Sequence, residues 1–398
     1  MGANRPSSLK EVDMNRPDPF EYGTSRYDSA LFGAGTVNTR WWHELSDGRV
    51  QCDICPRSCR LHEGQRGLCF VRARESDEIV LTTYGRSSGY CIDPIEKKPL
   101  YHWLPGTPVL SFGTAGCNLT CSFCQNSDIS KSRETHTLAD SASPCSIADA
   151  ALAHGCASVA FTYNDPVIFL EYAADTARAC HDRGVRTVAV TAGYVERGPR
   201  AELFDVIDAV NIDLKGFTDE YYRKVCGGTL TAVLDTISWV ARQSDTWMEL
   251  TTLLVPHHND SDEEILRMTS WIYDECGPDV PLHFSAFHPD WKMLDVPATS
   301  HATLRQAREI ALSVGLRYVY LGNVHDAEAD TTFCPNCRNA VVVRDWYRID
   351  EYLIDDRGRC TFCQSKLPGL FGASAGEWGR RREPVVLGDI ASPNPAFR

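Results

Sequence analysis

The feature that most restricts this chain is a rhythm that sets in near residue 108, where short continuous apolar runs alternate with longer amphipathic ones. The runs are "VLSFG" from Val109, "SVAFTY" from Ser158, "RTVAVTAG" from Arg186, "AVNIDLKG" from Ala209, "MELTTLLVP" from Met248 and "LHFSAFHP" from Leu282. A strand that is apolar at consecutive positions is buried on both faces, which calls for helices packed on a parallel sheet. The segments between supply them. "PVIFLEYAADTARACHDRG" opens with Pro166 and closes at Gly184, the punctuation of a helix, and "DEEILRMTSWIYDECG" and "ATLRQAREIALSVG" repeat the design. Six or seven such units predict an α/β fold, a complete or partial (β/α) barrel. Polar residues collect just after each strand, in "TYND", "TAG", "DLKG", "VPHHND" and "FHPDWK", on the edge where barrels assemble their sites.

Composition narrows the class. The 398 residues are 43% hydrophobic with no apolar run long enough to span a bilayer, and the N-terminus lacks a secretory h-region, so a cytoplasmic location without membrane insertion is expected. A net charge of -13 argues against a general nucleic-acid binder, whose affinity rests on clustered Lys and Arg. In a reducing cytosol, 17 cysteines point to metal ligation or burial rather than to disulfides. Eleven form three tight groups: Cys52, Cys55, Cys59 and Cys69; Cys117, Cys121 and Cys124; Cys334, Cys337, Cys360 and Cys363. Cys91 sits alone, and Cys145, Cys156, Cys180, Cys226 and Cys276 read as small core hydrophobes.

The middle group lies in "GTAGCNLTCSFCQN", on the loop after the first barrel strand. Three thiolates bind three irons of a cubane [4Fe-4S] cluster and leave the fourth iron open to an exogenous ligand. Gly113 and Gly116 permit a tight backbone route, and Phe123 can cover the cluster or an adenine ring. The C-terminal quartet, two CxxC knuckles 22 residues apart, has zinc-ribbon spacing, with an auxiliary iron–sulfur cluster as the alternative. The N-terminal quartet can close a four-thiolate site of either kind. "DPIEKKPLYHW", with Asp93, Glu96, Lys97, Lys98, Tyr101 and His102, reads as a solvated face or as a substrate or partner surface. "EIVLTTYGRSSGYCI" alternates enough for a hairpin.

CxxxCxxC with an aromatic before the third cysteine resembles the signature of radical S-adenosylmethionine (SAM) enzymes. Together, "CDICPRSCRLHEGQRGLCFVR", "DPIEKKPLYHWLPGT", the three-cysteine loop, "FTYNDPVIFLEY", "NIDLKGF", "HFSAFHPDWKMLDVP", "YVYLGNV" and "TTFCPNC" resemble the AmmeMemoRadiSam-system radical SAM enzymes, relatives of pyruvate formate-lyase activating enzymes. The resemblance spans about 50–371. It implies a partial barrel of the radical SAM type, and the changes of rhythm and composition along the chain divide it into a loosely ordered arm at 1–47, a four-cysteine module at 48–107, the barrel core at 108–330, a zinc-ribbon-like module at 331–371 and a tail at 372–398. It also implies that the open iron chelates the methionine end of SAM, and that one electron from a reductant such as flavodoxin or ferredoxin cleaves a carbon–sulfur bond. The 5′-deoxyadenosyl radical so formed would abstract hydrogen from a small-molecule substrate. The alternative is a glycyl-radical activase, which would need a partner protein.

By motif match, Asp165 would contact the SAM amino group with Asn164 and Phe123 also in the cofactor site, Thr191 and Asp213 would lie near the methionine or a structural cation, and Lys215 and His288 would reach the carboxylate or ribose. Other readings stand beside these: Asp213 and Lys215 as a salt-bridged strand end, His288 as a turn histidine, and His257 and His258 as solvent-facing. The chain departs from the family's "TYNEP", "TNG" and "SRFHP" at Asp165, Ala192 and Ala286. Loss of an arginine removes five donors and a fixed charge, so an altered pocket is expected.

Overall fold

The computed structural model describes residues 35–132 and 140–387. Seven parallel strands form its centre: β1 (Pro108–Phe112), β2 (Ser158–Phe161), β3 (Arg186–Thr191), β4 (Ala209–Asp213), β5 (Trp247–Leu254), β6 (Leu282–Ala286) and β7 (Val319–Gly322). They pair in chain order, so the expected parallel sheet is present, and it stays open as a partial barrel. Tyr90–Pro94 adds an antiparallel strand beside β1, and Glu383–Val385 adds another beside that. Helices Pro144–Ala153, Leu170–His181, Arg197–Asp205, Leu230–Gln243, Asp262–Cys276 and His301–Val314 make the crossovers.

Local chemistry sets where these helices begin and end. Ser143, Ser261 and Ser300 each accept a backbone N–H of the first turn through their hydroxyls, and Asp262, Glu263 and Glu264 place negative charge at the positive end of their helix. The "PVIF" segment starts as a 3-10 turn capped by Asp165 and becomes α-helical at Leu170. Strand registers then align side chains across the sheet. Asp213, Thr251, His283 and Tyr320 form one row through β4 to β7.

Two expectations change. "EIVLTTYGRSSGYCI" does not pair with itself: Glu78–Leu81 pairs with Arg72–Glu75 across the turn at Ser76 (φ 58°) and Asp77, while Tyr90–Pro94 joins the barrel sheet. The charged "DPIEKKPLYHW" is no solvated face. Asp93, Glu96, Lys98 and His102 are buried, and the segment plugs the barrel beneath β5. There Glu249 accepts hydrogen bonds from the backbone N–H of Tyr101 and His102, the Trp247 indole and the His283 imidazole at 2.7–3.1 Å.

At the two ends, the described parts are paired rather than loose. Val37–Asn38 pairs with Glu78–Leu81 and Trp42–Glu44 with Val50–Cys52; the rest of the expected arm and the segment 388–398 lie outside the described residues. Residues 332–352 form a three-stranded antiparallel sheet. Its Arg344 is fully buried, donates to the Tyr101 carbonyl and stacks 4.3 Å from the Tyr101 ring. No helix among the described residues is long and apolar enough to cross a membrane.

Candidate active site

The three-cysteine loop leaves β1 through Gly113, where a Cβ would lie 2.3 Å from the Thr162 carbonyl, so only glycine lets β1 and the segment after β2 approach so closely. Gly116 has φ +84°, and a Cβ there would meet the Cys69 carbonyl at 1.9 Å. The loop is held on every side. Thr120 and Ser122 donate to the carbonyls of Cys226 and Val225 on the π-helical turn Tyr222–Cys226; Asn118 donates to Tyr194, and Lys131 to Leu119. Cys226, read from sequence as core filler, therefore sits against Cys121. No sequence periodicity marks a π-turn, so that contact had no signal.

All three thiols line a cavity of about 400 Å³. Burial pushes the Cys117 thiol up to about 12, whereas a hydrogen bond with Cys226, then the Lys215 and Lys131 charges, favour the Cys121 thiolate. Cys124 is 2.9 Å from the Ser130 hydroxyl. Phe123, Asn164, Asp165, Asp213 and Lys215 share the cavity wall. Lys215 pairs with Asp213 at 2.9 Å, and its ammonium lies 5.9 Å from the Phe123 ring centre. Burial opposes the Lys215 charge, but Asp213 and the nearby thiols outweigh it.

Asp165 is buried, which raises its carboxyl to about 6 against three donors: the N–H of Val167, the N–H of Ala192 and the Thr191 hydroxyl. A carboxylate offers about four acceptor positions, so one is left. Thr191 stands behind Asp165 rather than on the cavity wall, and His288 is exposed at the rim, 3.1 Å from the Gln125 amide. His257 and His258 are exposed and outside the cavity. Asn164 donates to the Thr114 and Gly116 carbonyls, but its Oδ1 is buried without a protein partner, as is the Thr251 hydroxyl.

Sequence reasoning missed part of the cavity wall. Thr251, His283, Ser285, Asp330, Trp346 and Tyr347 line it together with Glu96, Lys98 and Tyr101. The register row was the one available signal, since Thr251 and His283 fall level with Asp213. Tyr163 holds a left-handed φ of 70°, strain of the kind that concentrates at functional sites, and its hydroxyl reaches Asp93 at 3.1 Å. The donor set fits an iron–sulfur cluster with one open iron: three soft sulfurs without a fourth, beside buried oxygens that lack partners and a cavity with room for a nucleoside-sized ligand.

Three thiols lie on the loop after the first strand of a parallel (β/α) sheet, and residues 112–269 match the family described as the Radical SAM superfamily. Within that superfamily the chain belongs to one family with the protein named Uncharacterized protein MJ0808 of Methanocaldococcus jannaschii, to which it is 39% identical over 328 residues, 82% of this chain and 97% of that one. It is also 25% identical over 178 residues to the pyruvate formate-lyase 1-activating enzyme of Escherichia coli, covering 43% of this chain and 70% of that one. A solved domain of pyruvate-formate lyase-activating enzyme from Bacteroides vulgatus aligns at 17% identity with a TM-score of 0.38, covering 42% of this chain and 99% of that one.

Proposed function

We propose that this chain is a radical SAM enzyme of the AmmeMemoRadiSam-system type that abstracts hydrogen from a small-molecule substrate, with Cys117, Cys121 and Cys124 holding a [4Fe-4S] cluster. The observation that supports this reading is the continuity of one cavity from the three thiols to Thr251, His283 and Tyr347, which leaves room for a substrate beside the proposed cofactor. When bound, cluster and SAM supply one-electron cleavage of a carbon–sulfur bond and a 5′-deoxyadenosyl radical.

The chain's own residues bind and orient. The free acceptor position of Asp165 and the unpartnered Asn164 Oδ1 receive the SAM ammonium, and Thr191 fixes the Asp165 carboxylate. Asp165 is one methylene shorter than the glutamate of the family motif, and the Ala192 N–H ties it to the end of β3. Lys215, kept charged by Asp213, offers a cation to the methionine carboxylate beside Phe123. His288 acts through Gln125 at the rim. Trp346 and Tyr347, on the turn of the C-terminal sheet, help exclude water. The C-terminal quartet is a structural zinc site in this reading: ligands at about 2.3 Å from a tetrahedral ion are about 3.8 Å from one another, and the Cys334–Cys363 and Cys337–Cys360 sulfurs are 3.5 and 3.7 Å apart.

Reductive incubation with SAM tests the function. The wild-type chain, purified without oxygen, is expected to form 5′-deoxyadenosine, and the C117A/C121A/C124A variant is not. Equal product from both would overturn the radical reading, and a stoichiometric glycyl radical on an added partner protein would move the chain to the activase class.

A further inference from the structure

The two four-cysteine groups have different shapes. At the C-terminal quartet all four sulfurs lie within 4.8 Å of one another; among the described residues, no three of Cys52, Cys55, Cys59 and Cys69 meet that spacing. These four instead surround a void with about 10 Å³ open to the centre of a water-sized sphere. The sulfurs of a tetrahedral zinc site close to about 3.8 Å from one another around a single ion. A cubane holds its thiolates apart by its own width, around a space that is empty of protein.

The void is prepared for a centre of negative charge. Its wall is completed by Ile54, Leu68, Gly67, Asn118 and two guanidinium side chains, Arg57 and Arg72. Arg72 has no solvent exposure; it pairs with Glu171 at 2.6 Å, donates to the Ile168 carbonyl, and its charge bears on Cys52 and Cys69. Glu171 compensates this buried cation, and the guanidinium still lies beside the sulfurs, where it favours their thiolate form. Two arginines complement either type of four-thiolate centre; the wide sulfur spacing selects the cluster. Backbone bonds fix the geometry: Cys52 donates its N–H to Cys59, and Ser58 to Cys55, while Phe70 (φ 72°) donates to Gly67 to close the turn around Cys69.

The void also backs directly onto the catalytic loop. Asn118 lines it while the adjacent Cys117 lines the catalytic cavity, and the Gly116 backbone lies against the Cys69 carbonyl. One thickness of chain separates the two sites.

We propose that Cys52, Cys55, Cys59 and Cys69 ligate a second [4Fe-4S] cluster, saturated by protein thiolates and set behind the three-cysteine loop. Saturation leaves no iron for SAM or substrate, so the chemistry open to this cluster is one-electron exchange. It gains one electron from a low-potential donor of the ferredoxin or flavodoxin class, which is oxidised by that electron, and gives the same electron up again, with no bond made or broken.

The test uses the full chain carrying C117A/C121A/C124A, in which the N-terminal quartet is native, reconstituted anaerobically with ferrous iron and sulfide. About four irons and four sulfides per chain should remain, with a cluster signal in electron paramagnetic resonance after reduction. Adding Cys55→Ala and Cys59→Ala should abolish both. Iron that persists in this last variant belongs to the C-terminal quartet and overturns the proposal, as does a triad variant holding zinc and no iron. The proposed function is read separately, from the iron lost between wild type and the triad variant: loss of about four supports it whatever the N-terminal quartet holds.

Discussion

The Thr191 hydroxyl donates to the Asp165 carboxylate at 2.9 Å, joining the end of β3 to the segment that follows β2. This bond holds ionised a carboxyl that burial raises to about 6. Because the folded value exceeds the ordinary 3.8, the native state holds extra proton between about pH 4 and 6, and the group lowers stability as pH rises through that window. In the proposed binding mode SAM affinity runs the opposite way, because its ammonium would pair with the Asp165 carboxylate. Its affinity should weaken as pH falls through about 6. Thr191→Val should move that midpoint upward and weaken binding at neutral pH by about 1.5–3 kcal/mol, tenfold or more in Kd. Equilibrium dialysis across pH checks both, and an unmoved midpoint would show that Thr191 does not act through Asp165.

Gly116 and Gly155 separate backbone strain from steric conflict. Both have positive φ, but a Cβ at Gly155 meets nothing within 4 Å, whereas one at Gly116 strikes the Cys69 carbonyl. Gly155→Ala should cost about 1 kcal/mol. Gly116→Ala should cost several-fold more, because the three-cysteine loop must part from the N-terminal module, and it should lower the iron content. Thermal unfolding together with iron assay of the two variants checks the contrast.

Glu249 lies beneath the cavity with four donors on one carboxylate. Burial raises its carboxyl, and the His283 hydrogen bond and charge more than reverse this, leaving it below the ordinary 4.5. Its ionisation therefore adds stability above that value, and the contribution is lost as pH falls through the lowered one. Glu249→Ala strands His283 and two backbone N–H groups, so a loss of about 3–5 kcal/mol is expected in denaturant titration at neutral pH. A loss below about 1 kcal/mol would mean that the plug is held by its apolar contacts alone.

What the sequence disclosed follows from how local each cause is. β2 and β3 were legible because both faces are buried, so their apolar residues run consecutively, and the helix ends were legible because Gly277 and Gly315 close them locally. The catalytic triad shows at a spacing of three and two residues. Glu249, Tyr101 and His283 meet only after register brings together positions 34 to 148 residues apart, and nothing in "DPIEKKPLYHW" tells a buried charge network from a wet surface. The hairpin reading failed for a related reason: the turn at Ser76 and Asp77 gave Glu78–Leu81 a nearer partner. The two cysteine quartets read alike as strings, and the distances between their sulfurs separate them.

Trp346 and Tyr347 form the tip of a hairpin whose sheet packs on the C-terminal quartet. Trp346 has φ 57°, stacks on His325 at 5.9 Å, and is followed by Arg348, which pairs back to Asp345 at 3.1 Å. The cluster of apolar residues under this sheet is small, comprising Val341, Val342, Ile354, Leu367 and Phe371 around the cysteines, so metal binding and local folding are coupled there. Cys360→Ala should lose about one zinc per chain and release the hairpin tip from the cavity. SAM should still bind, because its proposed contacts lie on the far side, but 5′-deoxyadenosine should form without matching substrate conversion once water reaches the radical. Trp346→Ala should reproduce that uncoupling with the zinc retained. Zinc loss with coupling unchanged would show that the C-terminal module has no part in closing the site.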